Sequence, residues 1–116
     1  MDKKCFSLEI KTTQRTQFVD ITKEIETVVK RTKIQSGICC LYVPHTTAGI
    51  TINENADPDV ANDIQMEINK LIPFNDNYRH LEGNSAAHIK ASLIGPSLFL
   101  IIENGELLLG TWQGIY

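Results

Sequence analysis

Apolar and polar residues alternate along residues 4–12, with Phe6, Leu8 and Ile10 on one face, and this period of two predicts a strand. Residues 13–16 read as a turn. Alternation resumes through Phe18 over residues 17–21, a second strand. The spacing then changes: Ile21, Ile25, Val28 and Val29 recur at helical intervals. Thr22 suits the cap of that helix, with Glu24 and Glu26 in its first turn, and the pattern runs out near Lys33. Glu26 and Lys30 form a favourable pair on its wet side. Gly37 opens a strand over residues 38–43, which Pro44 stops because it donates no backbone bond and holds Val43 extended. Residues 44–49 are expected to reverse the chain as a hairpin into residues 50–52, with Gly49 supplying a backbone angle other residues avoid. Asp57 caps the next helix and Pro58 takes its first position. Val60, Ile64, Ile68 and Leu71 form its buried stripe, and Pro73 ends it.

Residues 74–83 show no period and read as a long loop. Asn84 or Ser85 caps a shorter helix through Leu93, ended by Gly95-Pro96. Residues 98–102 are continuously apolar, which predicts a central strand buried on both faces. Asn104-Gly105 is a two-residue hairpin signal that returns the chain through Leu107, Leu108 and Leu109. Residues 110–116 read as one more strand. This order predicts an α+β fold, largely antiparallel sheets packed with two or three helices, in a single compact domain over residues 1–116.

Composition narrows the class. An apolar fraction of 42% and a charged fraction of 22% are those of a soluble globular chain. The net charge of -3 is too mild to call for a nucleic-acid or membrane partner. No apolar run approaches the ~20 residues of a membrane span, and the start Met1-Asp2-Lys3-Lys4-Cys5 has no signal-peptide core. Cys39 and Cys40 point to opposite faces of one strand and Cys5 is left over, so free thiols in a reducing cytoplasm are expected.

Candidate chemistry centres on residues 42–54, where His45, Thr46 and Thr47 stand between Pro44 and Gly49. Alternation from Ile50 puts Ile52 and Glu54 on one face, so a carboxylate ends a row otherwise buried. The plain alternative is a polar turn with Glu54 past the core edge. No two of the three histidines, His45, His80 and His88, have the spacing of a helical zinc pair, so a site using all three must be assembled by the fold. If Asn84 caps its helix, His88 lies one turn in, on the side of Ser92. Imidazoles with a carboxylate suit zinc-class metals; the competing reading is three half-exposed surface histidines. Asp57, Asp59 and Asp63 resemble a calcium loop, but Asn62 at the glycine position and Ile68 at the closing position exclude an EF-hand. Capping explains Asp63, while Asp57 and Asp59 remain open to a site role beside Glu54. There is no Gly-x-Ser-x-Gly elbow and no phosphate-binding glycine loop. The amides at Gly83-Asn84-Ser85 could hold an anion. Trp112 and Gln113 either line a pocket or, for Trp112, join the core.

Three blocks in this order resemble the YjbQ-like family, labelled secondary thiamine-phosphate synthase: residues 43–54, residues 84–90 (Asn-Ser-Ala-Ala-His-Ile-Lys) and residues 109–115 (Leu-Gly-Thr-Trp-Gln-Gly-Ile). Tyr78-Arg79-His80 with Glu82-Gly83 is similar to the family as well. The resemblance covers nearly the whole chain. It implies a homotrimer of compact α+β subunits and a weak activity joining a pyrimidine methyl diphosphate to a thiazole phosphate with release of diphosphate. It also implies a site in which His45, Glu54 and His88 are catalytic, Thr46, Thr47, Asn84, Trp112 and Gln113 bind a small phosphorylated substrate, and His45, His80 and His88 hold a divalent metal. A zinc-class ion suits the imidazoles; magnesium is the alternative. Two other functions stay open: a metal-dependent hydrolase of a phosphorylated small molecule, and a non-catalytic trimer that binds metal or ligand. Family members continue into an aromatic and acidic strand ending in Asp-Gly-Pro-Arg, whereas this sequence stops at Tyr116, in mid-strand on the reading above.

Overall fold

A computed structural model describes residues 4–116; Met1, Asp2 and Lys3, part of the start read as lacking a signal-peptide core, lie outside it. Its elements in chain order are α1 (Thr22–Thr32), β1 (Ser36–Tyr42), β2 (Ile52–Glu54), α2 (Pro58–Leu71), α3 (Ser85–Ile94), β3 (Ser97–Glu103), β4 (Glu106–Leu107) and β5 (Gln113–Ile115). The expected α+β class with antiparallel sheets holds, and of the two or three helices expected there are three among the described residues. β1, β3 and β4 form one sheet with β3 central, and β2 pairs with β5 in a second. Ile21, Ile25, Val29, Ile50, Leu100, Ile102 and Ile115 make the core, joining α1 to both sheets.

The helices follow their local signals. Asp57 accepts a bond from the Asp59 backbone N–H at 2.9 Å, and Pro58 occupies the first position of α2. That gives Asp57 a capping role. At α1 the cap position is Ile21, not Thr22, and the acceptor comes from Asp20 before it, whose carboxylate accepts from the Thr22 backbone N–H at 3.0 Å and from its hydroxyl at 2.5 Å. Thr22 Oγ1 in turn accepts from the Ile115 backbone N–H at 2.9 Å, so the start of α1 is tied to β5. On α2, Val60, Ile64 and Ile68 are half-buried, but Leu71 is 72% exposed, outside the stripe assigned to it.

Several strand expectations are corrected. Residues 4–12 and 17–21 pair with no strand among the described residues. Their alternation is present, but a strand also needs a partner ladder; here residues 13–19 are held by side chains instead. Gln65 Nε2 donates to the Thr16 carbonyl at 3.0 Å, and the Phe18 and Tyr116 rings stand 5.6 Å apart. Residues 44–49 are a crossover rather than a hairpin, because β1 and β2 belong to different sheets. Gly49 serves it by close approach, not by an unusual angle: a Cβ there would stand 3.0 Å from the Gly95 carbonyl oxygen and from Ile94 Cγ2. β4 is only two residues long, and the last strand is reduced to Gln113–Ile115. β3 is central as expected, yet it alternates: Leu100 and Ile102 are buried while Phe99 is 74% exposed. Only one face of this sheet is covered in the single chain.

Candidate functional site

Backbone bonds fix the crossover from both sides. The Val43 N–H donates to the Pro96 carbonyl at 2.8 Å and the Ile50 N–H to the Gly95 carbonyl at 3.0 Å, which ties it to the end of α3. Thr51 exchanges two 2.9 Å bonds with Tyr116, and the Asn55 N–H donates to the Trp112 carbonyl at 2.9 Å, which ties its exit to β5. His45 stands exposed on this frame. Its Nδ1 accepts from the Thr47 backbone N–H at 3.1 Å, and Thr47 Oγ1 lies 3.1 Å from the same nitrogen. A backbone N–H can only donate, so Nδ1 holds a lone pair and the neutral ring carries its proton on Nε2.

His45 and Thr47 line a cavity of about 420 Å³ between the crossover, residues 10–21, α2 and α3. Val43, Phe18, Ile68 and Ile94 supply apolar wall, and Tyr116 closes one side. Burial, then the nearby Asp20 and Glu54 charges, push the Tyr116 hydroxyl pKa up. Lys90 enters the same cavity, its Nζ donating to Thr16 Oγ1 at 3.2 Å and to Asn69 Oδ1. Burial pushes the Lys90 ammonium pKa down.

The other histidines lie elsewhere. His80 and His88 meet edge to face with ring centres 5.4 Å apart, in an open recess of about 340 Å³ with Tyr78, Arg79, Ser85 and Ile89. Helical spacing explains the split. Ala87, Lys90, Ala91 and Ile94 face the cavity, whereas Ser85, His88 and Ile89 face the recess, so α3 stands between His45 and His88. A third group sits at the β2–β5 pair: Glu54 is in register with Gln113, and Trp112 is 62% exposed, not core. Neither Trp112 nor Gln113 lines the cavity or the recess; the Gln113 side chain accepts from the Gly110 N–H at 2.8 Å. Thr46 is exposed and lines neither. Asn84 sits at the cap position of α3, but its amide donates to Glu82 Oε2 at 2.8 Å, leaving Oδ1 buried with no partner among the described residues.

A three-histidine metal set does not fit one copy of the chain. Among the described residues no three His, Cys, Asp or Glu side chains come within reach of one ion. His45 is also in the wrong tautomer, since a ligating imidazole donates its second N–H outward and keeps a lone pair for the metal. His80 and His88 are the two that come together. Lys90 and Arg15, both on the cavity wall, were given no site role by the sequence reading, although Lys90 ends the second motif block; Lys90 falls opposite His88 on a helical projection of residues 85–94, which is the signal that finds it.

Geometry therefore defines a small two-sheet α+β protein with an apolar-walled cavity under a histidine-bearing crossover. The family model described as UPF0047 protein YjbQ-like matches residues 6–116, and the chain belongs to that family. The UPF0047 protein YugU of Bacillus subtilis is 54% identical over 111 residues, 95% of this chain and 84% of that protein. A UPF0047 protein of Methanocaldococcus jannaschii is 56% identical over 114 residues, 98% and 83% of the two chains. Among solved structures, a YjbQ/UPF0047 family protein from Clostridium acetobutylicum superposes with a TM-score of 0.90 at 55% identity, covering 92% of this chain and 83% of that one. A YjbQ-like protein of unknown function from Sulfolobus solfataricus gives 0.87 at 31% identity, covering 91% and 78%.

Proposed function

We propose that this chain is a cytoplasmic homotrimeric transferase of the thiamine-phosphate synthase type, which joins a pyrimidine methyl diphosphate to a thiazole phosphate. The observation that carries the reading is His45, its Nδ1 held by Thr47, on the wall of a cavity whose volume and apolar lining suit small heteroaromatic rings. When the carbon–oxygen bond to diphosphate breaks, charge grows on the departing oxygen. A donor there lowers the barrier, and on this reading His45 Nε2–H serves as one. Self-association is supported by the uncovered sheet face of Ile38, Cys40, Tyr42, Phe99 and Ile101, on the order of 500 Å² of apolar surface, where monomers rarely expose more than a few hundred. Among the described residues no helix is long and apolar enough to cross a membrane. The test incubates the protein with both substrates and follows thiamine phosphate and diphosphate. His45→Ala should retain ligand affinity and lose turnover; absence of product, or a variant at wild-type rate, overturns the reading.

A zinc-class ion belongs to His80 and His88 on this proposal, completed by a second copy of the chain, and no step of the transfer is routed through it. Added zinc should raise the melting temperature of wild type and leave the His80→Ala/His88→Ala double variant unmoved; equal shifts exclude that site. Hydrolysis of a phosphate ester is the second reading, favoured by Arg79 beside the two imidazoles in a recess apart from His45. Phosphate release from p-nitrophenyl phosphate that survives His45→Ala and fails in His88→Ala would select it.

A further inference from the structure

We infer that Lys90 and Arg15 form the anion-receiving end of the cavity beside His45, and that its ligand is a small molecule with an apolar ring body and one oxyanion group. The inference rests on the reading of the His45 crossover as the ligand site and adds the residues that hold the ligand. The sequence has 14 acidic against 11 basic residues, yet among the described residues no aspartate or glutamate lines this cavity, while Lys90 and Arg15 both do.

Among the described residues neither cation has an ion-pair partner. The salt bridge among the described residues is Lys70 with Glu67, an exposed pair on α2 that involves neither cation. Lys90 Nζ meets two neutral acceptors, Thr16 Oγ1 and Asn69 Oδ1, which leaves its charge uncompensated and its third proton unused. The Arg15 guanidinium lies 3.7 Å from the centre of the Phe74 ring. That contact fixes the group by its face and leaves its N–H donors for another partner. The His45 Nε2–H is a further donor on the same wall. Donors without acceptors, set against an apolar wall, select an oxyanion carried on an apolar body.

Isothermal titration with phenyl phosphate, inorganic phosphate and benzyl alcohol tests this on wild type, Lys90→Met, Lys90→Arg and Arg15→Gln. Phenyl phosphate should bind about tenfold or more tighter than inorganic phosphate or benzyl alcohol, since each lacks one half of the match. Lys90→Met and Arg15→Gln should each weaken phenyl phosphate by about tenfold or more, with Lys90→Arg within a few-fold of wild type. Lys90 also ties α3 to α2 and residue 16, so melting temperatures accompany every titration. Arg15 is exposed, and its variant reads binding without risk to the fold. Equal binding of phenyl phosphate and benzyl alcohol overturns the inference, as does full affinity in both Lys90→Met and Arg15→Gln. Cation-dependent binding without thiamine phosphate formation would sink the transfer reaction and keep the pocket; turnover with cation-independent binding would do the reverse.

Discussion

Phe99→Ser separates the stability of the single chain from that of its assembly. Phe99 lies on the uncovered face of β3, in register with Cys40 on β1, and is 74% exposed. A phenylalanine presents about 200 Å², so roughly 150 Å² of Phe99 is left for an interface to remove. At ~25 cal/mol per Å² that is about 4 kcal/mol for each copy, or close to a thousandfold in an association constant. The folded single chain gains almost nothing from this ring, and its own stability should move by less than ~0.5 kcal/mol. Leu100, its neighbour, is 6% exposed and packs in the core, so Leu100→Ser should unfold the chain and serves as the contrast. Analytical ultracentrifugation across micromolar concentrations, with circular dichroism on the same samples, gives both quantities. Wild type should sediment as a trimer and Phe99→Ser as a folded monomer. A monomeric wild type, or a variant that assembles as wild type does, refutes the assignment of this face.

Three further outcomes are expected. His45→Ala removes a ring that is exposed and bonds only Thr47, so melting should stay within ~1 kcal/mol of wild type while turnover is lost; a variant that melts several degrees early and keeps its specific activity makes His45 structural. Gly49→Ala places a Cβ 3.0 Å from Gly95 O and Ile94 Cγ2 and should cost about 1–3 kcal/mol in thermal unfolding; an unchanged midpoint would show that the crossover yields freely. Burial raises the Asp20 carboxyl pKa, but bonds from Thr22 and Asn55 and the Lys23 charge outweigh it and hold it below the ordinary 3.8. The ionised form is therefore preferred in the fold: its contribution is present above pH 3.8 and lost as the pH falls through that value and below. The melting-temperature gap between wild type and Asp20→Asn, which keeps the cap without the charge, should close on acidification; a gap constant from pH 7 to 3 rejects it.

Helices were the legible part of the sequence because their signals are local. Asp57-Pro58 and Gly95-Pro96 mark α2 and α3 through chemistry within a few residues. Strands were legible only as alternation or as short apolar runs. Residues 4–12 alternate, but pairing depends on what lies alongside, which no local pattern states. The same limit hid the crossover: Pro44 and Gly49 signal a reversal, and the choice between hairpin and sheet change is made by the Pro96 and Gly95 carbonyls, 46 and more residues away. At the site, the motif blocks gave His45, His80 and His88 as residues without telling which share a space. Arg15 lies outside the motif blocks and Lys90 only ends one, and the cavity is what joins them.

The division made by α3 bears directly on how the site residues can work together. Backbone bonds join residues 43–55 in one frame to Trp112 and Tyr116 and to Gly95 and Pro96 at the end of α3, the helix that carries the second motif block. Their side chains nevertheless leave that frame in different directions. His45 and Thr47 reach the cavity, His80 and His88 the recess on the other face of α3, and Glu54 pairs across β2 with Gln113. A ligand that fills the cavity of one copy touches His45 and cannot touch His88 through the helix. His45 and His88 can therefore act on one substrate only if the recess of a neighbouring copy is brought to the cavity mouth. The uncovered face of β1 and β3 offers apolar surface for such a contact, so on the proposed reading a reaction that used both histidines would require assembly.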